Sequence, residues 1–275
     1  MKAAWKALAG IAASAAIMAS ASAATLVDGY SLNLPVVGGS KVVTSIGALG
    51  FNGESYVQTN AVAGSNQTFN FSDNGIFNLT TKNGGLPLLN GGQLTANYLN
   101  GVGTGNLSTG QITFSAGGTL DIYYNPDQTY GDSASNRYGS TTGTLIASFS
   151  QVAGGGGFIN ADGSPSSNGP LTLNFQSTYL MEGVWLDKDG NNLLAGLTLG
   201  FVTSNASQDV NTIDPNLKTA LSNSPSTINN PPGQFFVQNG GQFKLQTTEV
   251  PEPATLAVFG IGLAGLAAMR RRKQK

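Results

Sequence analysis

Apolar and polar residues alternate through the middle of the chain. Leu171, Leu173 and Phe175 fall on one face of an extended segment, with Thr172 and Asn174 on the other. Leu120, Ile122 and Tyr124 alternate in the same way with Thr119, Asp121 and Tyr123. Phe69 with Phe71, Ile112 with Phe114, and Phe243 with Leu245 repeat the pattern. Period-two order predicts half-buried antiparallel strands. Further strands are expected at 76–81, 94–99, 144–150, 179–186, 193–202 and 235–238. Turn signals fall between them: Asn83-Gly84-Gly85, Asn90-Gly91-Gly92, Asp162-Gly163, Asp189-Gly190 and Asn239-Gly240-Gly241. Asn-Gly and Asp-Gly readily take the positive φ angles of tight hairpins. The sum is an all-β fold, an antiparallel β-sandwich-like body, with a barrel as second choice. No internal repeat supports a propeller or a β-helix.

The stretch 204–233 breaks the rhythm. Asp214-Pro215 predicts a short helix to about Leu221, with Asp as N-cap and Pro at the first helical position. The stretch 222–233, with Pro225, Pro231 and Pro232, reads as a surface loop. The run Gly154–Gly157 reads as a flexible turn within the domain.

The ends differ from the body. Lys2 and Lys6 precede an Ala-rich apolar run over 7–19, and Ala21-Ser22-Ala23 supplies the small residues that a signal peptidase reads at Ala21 and Ala23. This order predicts a secretory signal peptide over 1–23 and delivery to the secretion translocon. At the other end, Pro251-Glu252-Pro253 precedes an uncharged run over 254–269, followed by Arg270, Arg271, Arg272 and Lys273. Sixteen helical residues span about 24 Å, short of the roughly 30 Å hydrocarbon core. Arginine snorkelling and bilayer thinning still allow a short transmembrane helix. The basic tail over 270–275 stops transfer and stays cytoplasmic, which leaves the body, 24–249, outside. Gly260, Gly262 and Gly265 match a dinucleotide-binding spacing, but inside an apolar span they read as small residues for helix packing.

This C-terminal segment, 250–275, resembles the PEP-CTERM sorting signal of Gram-negative bacteria. The resemblance implies that exosortase, an integral-membrane protease or transpeptidase, recognises Pro251, Glu252 and Pro253 and processes the protein nearby. The protein would be held at the inner membrane for a time, then reach the cell surface or extracellular matrix. Shorter segments, Gly118–Pro126, Gly183–Asn191, Leu199–Ser207 and Gly241–Thr247, resemble the bodies of flocculation-associated PEP-CTERM proteins. That implies a structural or adhesive role in floc or biofilm formation with exopolysaccharide.

Composition narrows the chemistry. The 275 residues include no Cys and no His. Disulfides, thiolate nucleophiles, Ser-His-Asp triads and His-based zinc sites are therefore excluded. From Ala24 to Pro253 the chain keeps 6 basic residues and all 14 acidic ones, a formal charge of −8. So acidic a body is a poor partner for nucleic acid.

Two clusters suggest ligands. Asp187-Lys188-Asp189-Gly190-Asn191-Asn192 resembles the start of a calcium loop, with Asp187, Asp189 and Asn191 as ligands. Its Gly is fourth rather than sixth and no Glu follows, so a hairpin turn is the preferred reading. Asp127 and Asp132 form a similar polar loop. Tyr123, Tyr124, Tyr130, Tyr138 and Trp185 could furnish a platform for sugars, although aromatics in β-proteins more often build the core. Glycoside hydrolysis needs two carboxylates across a cleft, and no such pair stands out among Glu54, Glu182, Glu249 and the aspartates. The expectation is a non-catalytic surface or matrix protein with no catalytic residues and no cofactor. A glycan-binding module, calcium-assisted, ranks second, and a carboxylate glycosidase third.

Overall fold

The computed structural model describes residues 25–62, 67–196, 198–209, 213–228 and 232–247. The segment expected to be a signal peptide (1–23), the Pro-Glu-Pro motif, the apolar run and the basic tail lie outside these residues. The body, Leu26–Gln246, forms one compact unit. Its strands are β1 (Thr25–Leu26), β2 (Tyr30–Asn33), β3 (Val42–Ile46), β4 (Leu49–Thr59), β5 (Thr68–Lys82), β6 (Leu86–Pro87) and β7 (Gln93–Asn106). They continue as β8 (Gln111–Phe114), β9 (Thr119–Asn125), β10 (Thr144–Phe158), β11 (Gly169–Leu180), β12 (Trp185–Leu186), β13 (Thr198–Asp209) and β14 (Gly233–Thr247). A single helical turn, α1 (Ser135–Tyr138), and one helix, α2 (Pro215–Ser222), complete the set with a 3₁₀ turn at Leu34–Val37.

The expected antiparallel all-β body is present, but it is not a sandwich. Strand pairing runs β4–β5–β7–β9–β10–β11–β13–β14 and returns to β4, so one sheet closes on itself. β8 fills the second half of the slot between β7 and β10, after β9 has filled the first. Neighbours in the ring follow chain order, which makes this an up-and-down barrel. Long strands explain the closure. β5, β10 and β14 have 15 residues each, and strands of this length twist and coil until the two edges meet.

The alternation now has a direction. Leu94, Ala96, Leu120, Ile122, Leu173, Phe175 and Phe243 are buried and point into the barrel. Asn52, Asn70, Thr119, Gln176 and Gln238 are exposed on its outer face. This polarity is the reverse of a membrane-spanning barrel, whose outer band is apolar. Among the described residues, no helix is long and apolar enough to cross a membrane.

One end of the barrel is closed by a small second sheet, β12–β2–β3. Trp185 of β12 is fully buried, stacks on Tyr30 with ring centroids 5.9 Å apart, and donates from Nε1 to the Ile146 carbonyl at 2.8 Å. On the outer wall a separate apolar cluster joins Tyr56 and Ile76 to Leu217, Ala220 and Leu221 of α2. Helix α2 begins where expected: the Asp214 carboxylate accepts from the Asn216 and Leu217 amides at 2.8 and 3.2 Å.

Two expected turns are strand instead. Asn239-Gly240-Gly241 lies in the middle of β14, paired with Gly53, Asn52 and Phe51 of β4. The inward Asn239 side chain is hydrogen-bonded there, so no reversal is needed. Gly154–Gly157 belongs to β10, where the register slips between Val152 and Gly155. Gly154 and Gly155 take φ of 105° and 79° in this bulge, which a side chain would resist. The segments expected at 179–186 and 193–202 have other bounds as strands, and β13 continues to Asp209, through the start of the stretch at 204 where the sequence predicts a break. β11 stops at Leu180, a turn through Gly183 (φ 75°) intervenes, and β13 begins at Thr198.

Candidate functional site

The inward face of the barrel is mostly apolar, with a polar belt at its middle. Ser55 of β4, Asp73 of β5, Tyr98 of β7, Gln151 of β10 and Asn239 of β14 are all buried, and the most exposed of them, Asp73, shows only 7% of its surface. Alternation places them there. Phe69 and Phe71 point inward, and Asp73 is the next residue of the same parity. Asn239 shares parity with Val237, Phe243 and Leu245, all buried.

The belt is partly connected. Asn239 Nδ2 donates to Ser55 Oγ at 2.9 Å and to the Val237 carbonyl at 3.0 Å. The Asp73 carboxyl accepts from the Ser55 hydroxyl and the Asn74 amide. The Tyr98 hydroxyl donates to Gln151 Oε1. Two polar atoms of the belt have no hydrogen-bond partner, Asp73 Oδ1 and Gln151 Nε2. Burial pushes the Asp73 carboxyl up to about 7, against the lowering by Ser55 and Asn74. Desolvation, and then the charge of Asp73, hold the Tyr98 phenol well above its ordinary value.

Two cavities flank this belt, and Ser55, Asp73 and Asn239 line both. The one toward the capped end has a volume of about 50 Å³ and is lined by Phe77, Leu120, Phe175 and Val202 among others. The one toward the far end has a volume of about 60 Å³ and reaches Phe158, Ile159 and Pro165 at the rim. Phe158 is 54% exposed there. Asp73 is the sole acid lining either cavity among the described residues.

A second polar cluster sits outside, beneath α1. Gln93 Oε1 accepts from the Thr129 and Tyr130 amides, both at 2.7 Å, and Thr95 donates to the Ser140 carbonyl at 2.7 Å. Arg137 donates to Asn97 Oδ1 at 2.9 Å, to the Ala220 carbonyl at 3.0 Å and to Ser224 Oγ. Burial lowers its guanidinium to about 10. Asn136, Arg137 and Tyr138 have φ of 49°, 52° and 60°. This strained left-handed turn delivers Arg137 as a staple between the barrel wall and α2.

The sites expected from sequence are dispersed. In the 187–192 loop, Asp187 Oδ1 accepts from the Asp189 and Asn191 amides at 2.8 and 2.9 Å. Lys188 Nζ pairs with the Asp189 carboxylate at 2.8 Å, both side chains well exposed. These carboxylates serve the turn, and no group of three or more His, Cys, Asp or Glu among the described residues is placed to hold a metal. Asp127 and Asp132 are exposed. The five aromatics do not meet as a platform. Trp185 is in the cap, Tyr124 faces the barrel interior, and Tyr123 lies on the opposite face of the same strand. Tyr130 and Tyr138 pair edge to face at 5.1 Å in the outer cluster. Ala21, Ala23, Pro251, Glu252, Pro253, Arg270, Arg271, Arg272 and Lys273 lie outside the described residues.

The body is thus a closed, outwardly polar β-barrel with a partly satisfied polar belt inside. Residues 249–273 match the PEP-CTERM protein-sorting motif. That motif implies export, transient membrane anchoring, and processing by exosortase before release to the surface. No curated protein and no solved structure matches the chain.

Proposed function

We propose that this protein is a non-catalytic component of the extracellular matrix, with a structural or adhesive role in floc or biofilm formation with exopolysaccharide. The observation that carries the reading is the sorting motif at 249–273, which implies an exosortase-sorted extracellular protein. The body is consistent with it. The described carboxylates are not paired across either cavity, whereas glycoside hydrolysis needs two across a cleft. A sugar platform has less support, because the five aromatics lie in four different places. Calcium, in this reading, would bridge exposed carboxylates such as Asp187 and Asp189 rather than fill a preformed cage.

The experiment is a gene deletion, complemented by the full chain and by a chain lacking 249–273. Floc and biofilm mass should fall in the deletion strain and recover only with the full chain. Intact mass of the exported protein should show loss of residues 1–23 and exosortase-dependent processing near Pro251–Pro253. Unchanged floc and biofilm mass in the deletion strain would remove the proposed role while leaving the sorting intact.

A further inference from the structure

The polar belt raises a question that the sorting motif does not answer. A buried carboxylate is costly unless its oxygens are matched by donors. Asp73 has a neighbour for part of its carboxyl in Ser55, yet Oδ1 has none, and across the belt Gln151 Nε2 is a donor with no acceptor. Asp73 lines both cavities, whose other walls are mainly aromatic and aliphatic, with Thr59 toward the far rim; Gln151 lines neither. An eight-stranded barrel is wide enough either to fill with side chains or to hold one small ligand. Here the packing is incomplete on both sides of the belt.

A packing detail fixes where the rings beside that space sit. Gly101, Gly103 and Gly105 of β7 face inward opposite Asp73, Phe71 and Phe69 of β5. A Cβ at Gly103 or Gly105 would lie 2.4 or 2.2 Å from the Cζ of the facing ring. The Phe69 and Phe71 rings therefore lie against bare backbone. The far rim offers a way in. β10 carries its glycine bulge there and ends at the exposed Phe158, beside the second cavity.

We propose that the barrel interior binds a small, uncharged, mainly apolar molecule that carries one hydroxyl or aryl N–H group, held by Asp73 Oδ1. The apolar body covers the cavity walls, and the donor satisfies the orphan oxygen. A single water bonded to Asp73 would satisfy the oxygen but leave the walls uncovered. A ligand hydroxyl reproduces the bond of that water while burying apolar surface, the condition under which displacing an ordered water gains affinity.

The test uses the exported protein, purified without detergent, and the neutral fluorophore N-phenyl-1-naphthylamine, which has one N–H donor on an apolar frame. Its fluorescence should rise saturably at one probe per chain. 4-Propylphenol should displace it at a concentration at least tenfold below that of its methyl ether, 4-propylanisole, which lacks the donor. Val202→Phe fills the first cavity and should abolish the signal. Asp73→Leu keeps the space apolar and should retain probe binding while erasing the tenfold preference for the phenol. Circular dichroism establishes that each variant is folded; should Val202→Phe not fold, the Asp73→Leu preference decides. No saturable signal with the folded wild type, or an equal phenol preference in Asp73→Leu, would overturn the proposal.

Discussion

Asp73 dominates at the scale of single residues. Its carboxyl titrates near 7 in the folded barrel, against 3.8 for an ordinary solvated aspartate such as the unfolded chain presents. The folded state therefore binds a proton more tightly than the unfolded one. The stabilisation linked to that proton is fully present below about pH 4 and is lost as pH rises through 7. Across the window, stability should fall by roughly 1.4 kcal/mol per pH unit from this group. Urea unfolding at pH 5 and pH 8 measures it, and Asp73→Asn should flatten the difference. Trp185 gives a second expectation. Trp185→Ala removes a fully buried ring and its bond to Ile146, so it should cost about 3–5 kcal/mol. The parity of Phe69 and Phe71 carries the signal that Asp73 points inward. It is easily missed, because a lone aspartate in a strand reads as a surface residue. Asn239 is hidden differently: followed by two glycines, it has the local chemistry of a turn, and only its partners on β4 make it strand.

At the scale of elements, glycine decides the shape. Gly103→Ala would set a Cβ 2.4 Å from both the Phe71 ring and the Thr113 carbonyl. Overpacking of this kind should cost about 1–3 kcal/mol, read from the midpoint of chemical unfolding. Helix α2 tests a weaker local term. Asp214→Ala removes two accepted amide bonds at its start and should cost about 1 kcal/mol. That helix is legible in the sequence because its N-cap and proline are local signals. The strands β9 and β11 are legible because one residue in two is apolar. The glycine run of β10 is not, since glycines have no polarity to alternate, and nothing nearby in sequence reveals that β8 and β11 pair with them.

For the whole molecule, the distinction between sandwich and barrel depends on which strands meet last. The pairing of β14 with β4 brings Phe243 beside Leu49, a contact between opposite ends of the body, and alternation within a strand says nothing about it. The sorting tail is the opposite case. Its motif, span and charges are contiguous, so the segment 250–275 could be read directly from the chain, and the sorting-motif match covers 249–273.

Ring closure has a consequence for life at high local concentration. Every barrel strand has a neighbour on each side, so the ring offers no open ladder for another chain to extend. Among the described residues, the free strand edges are short, as at the two-residue β6 and the five-residue β3 of the cap. Proteins with long open edges tend to grow into fibrils when crowded. This body should stay as discrete units, and a concentrated sample incubated with thioflavin T should remain dark. If the body adds cohesion to a matrix, as proposed, it does so through side chains on the polar outer wall rather than by strand addition, and that cohesion should weaken with added salt.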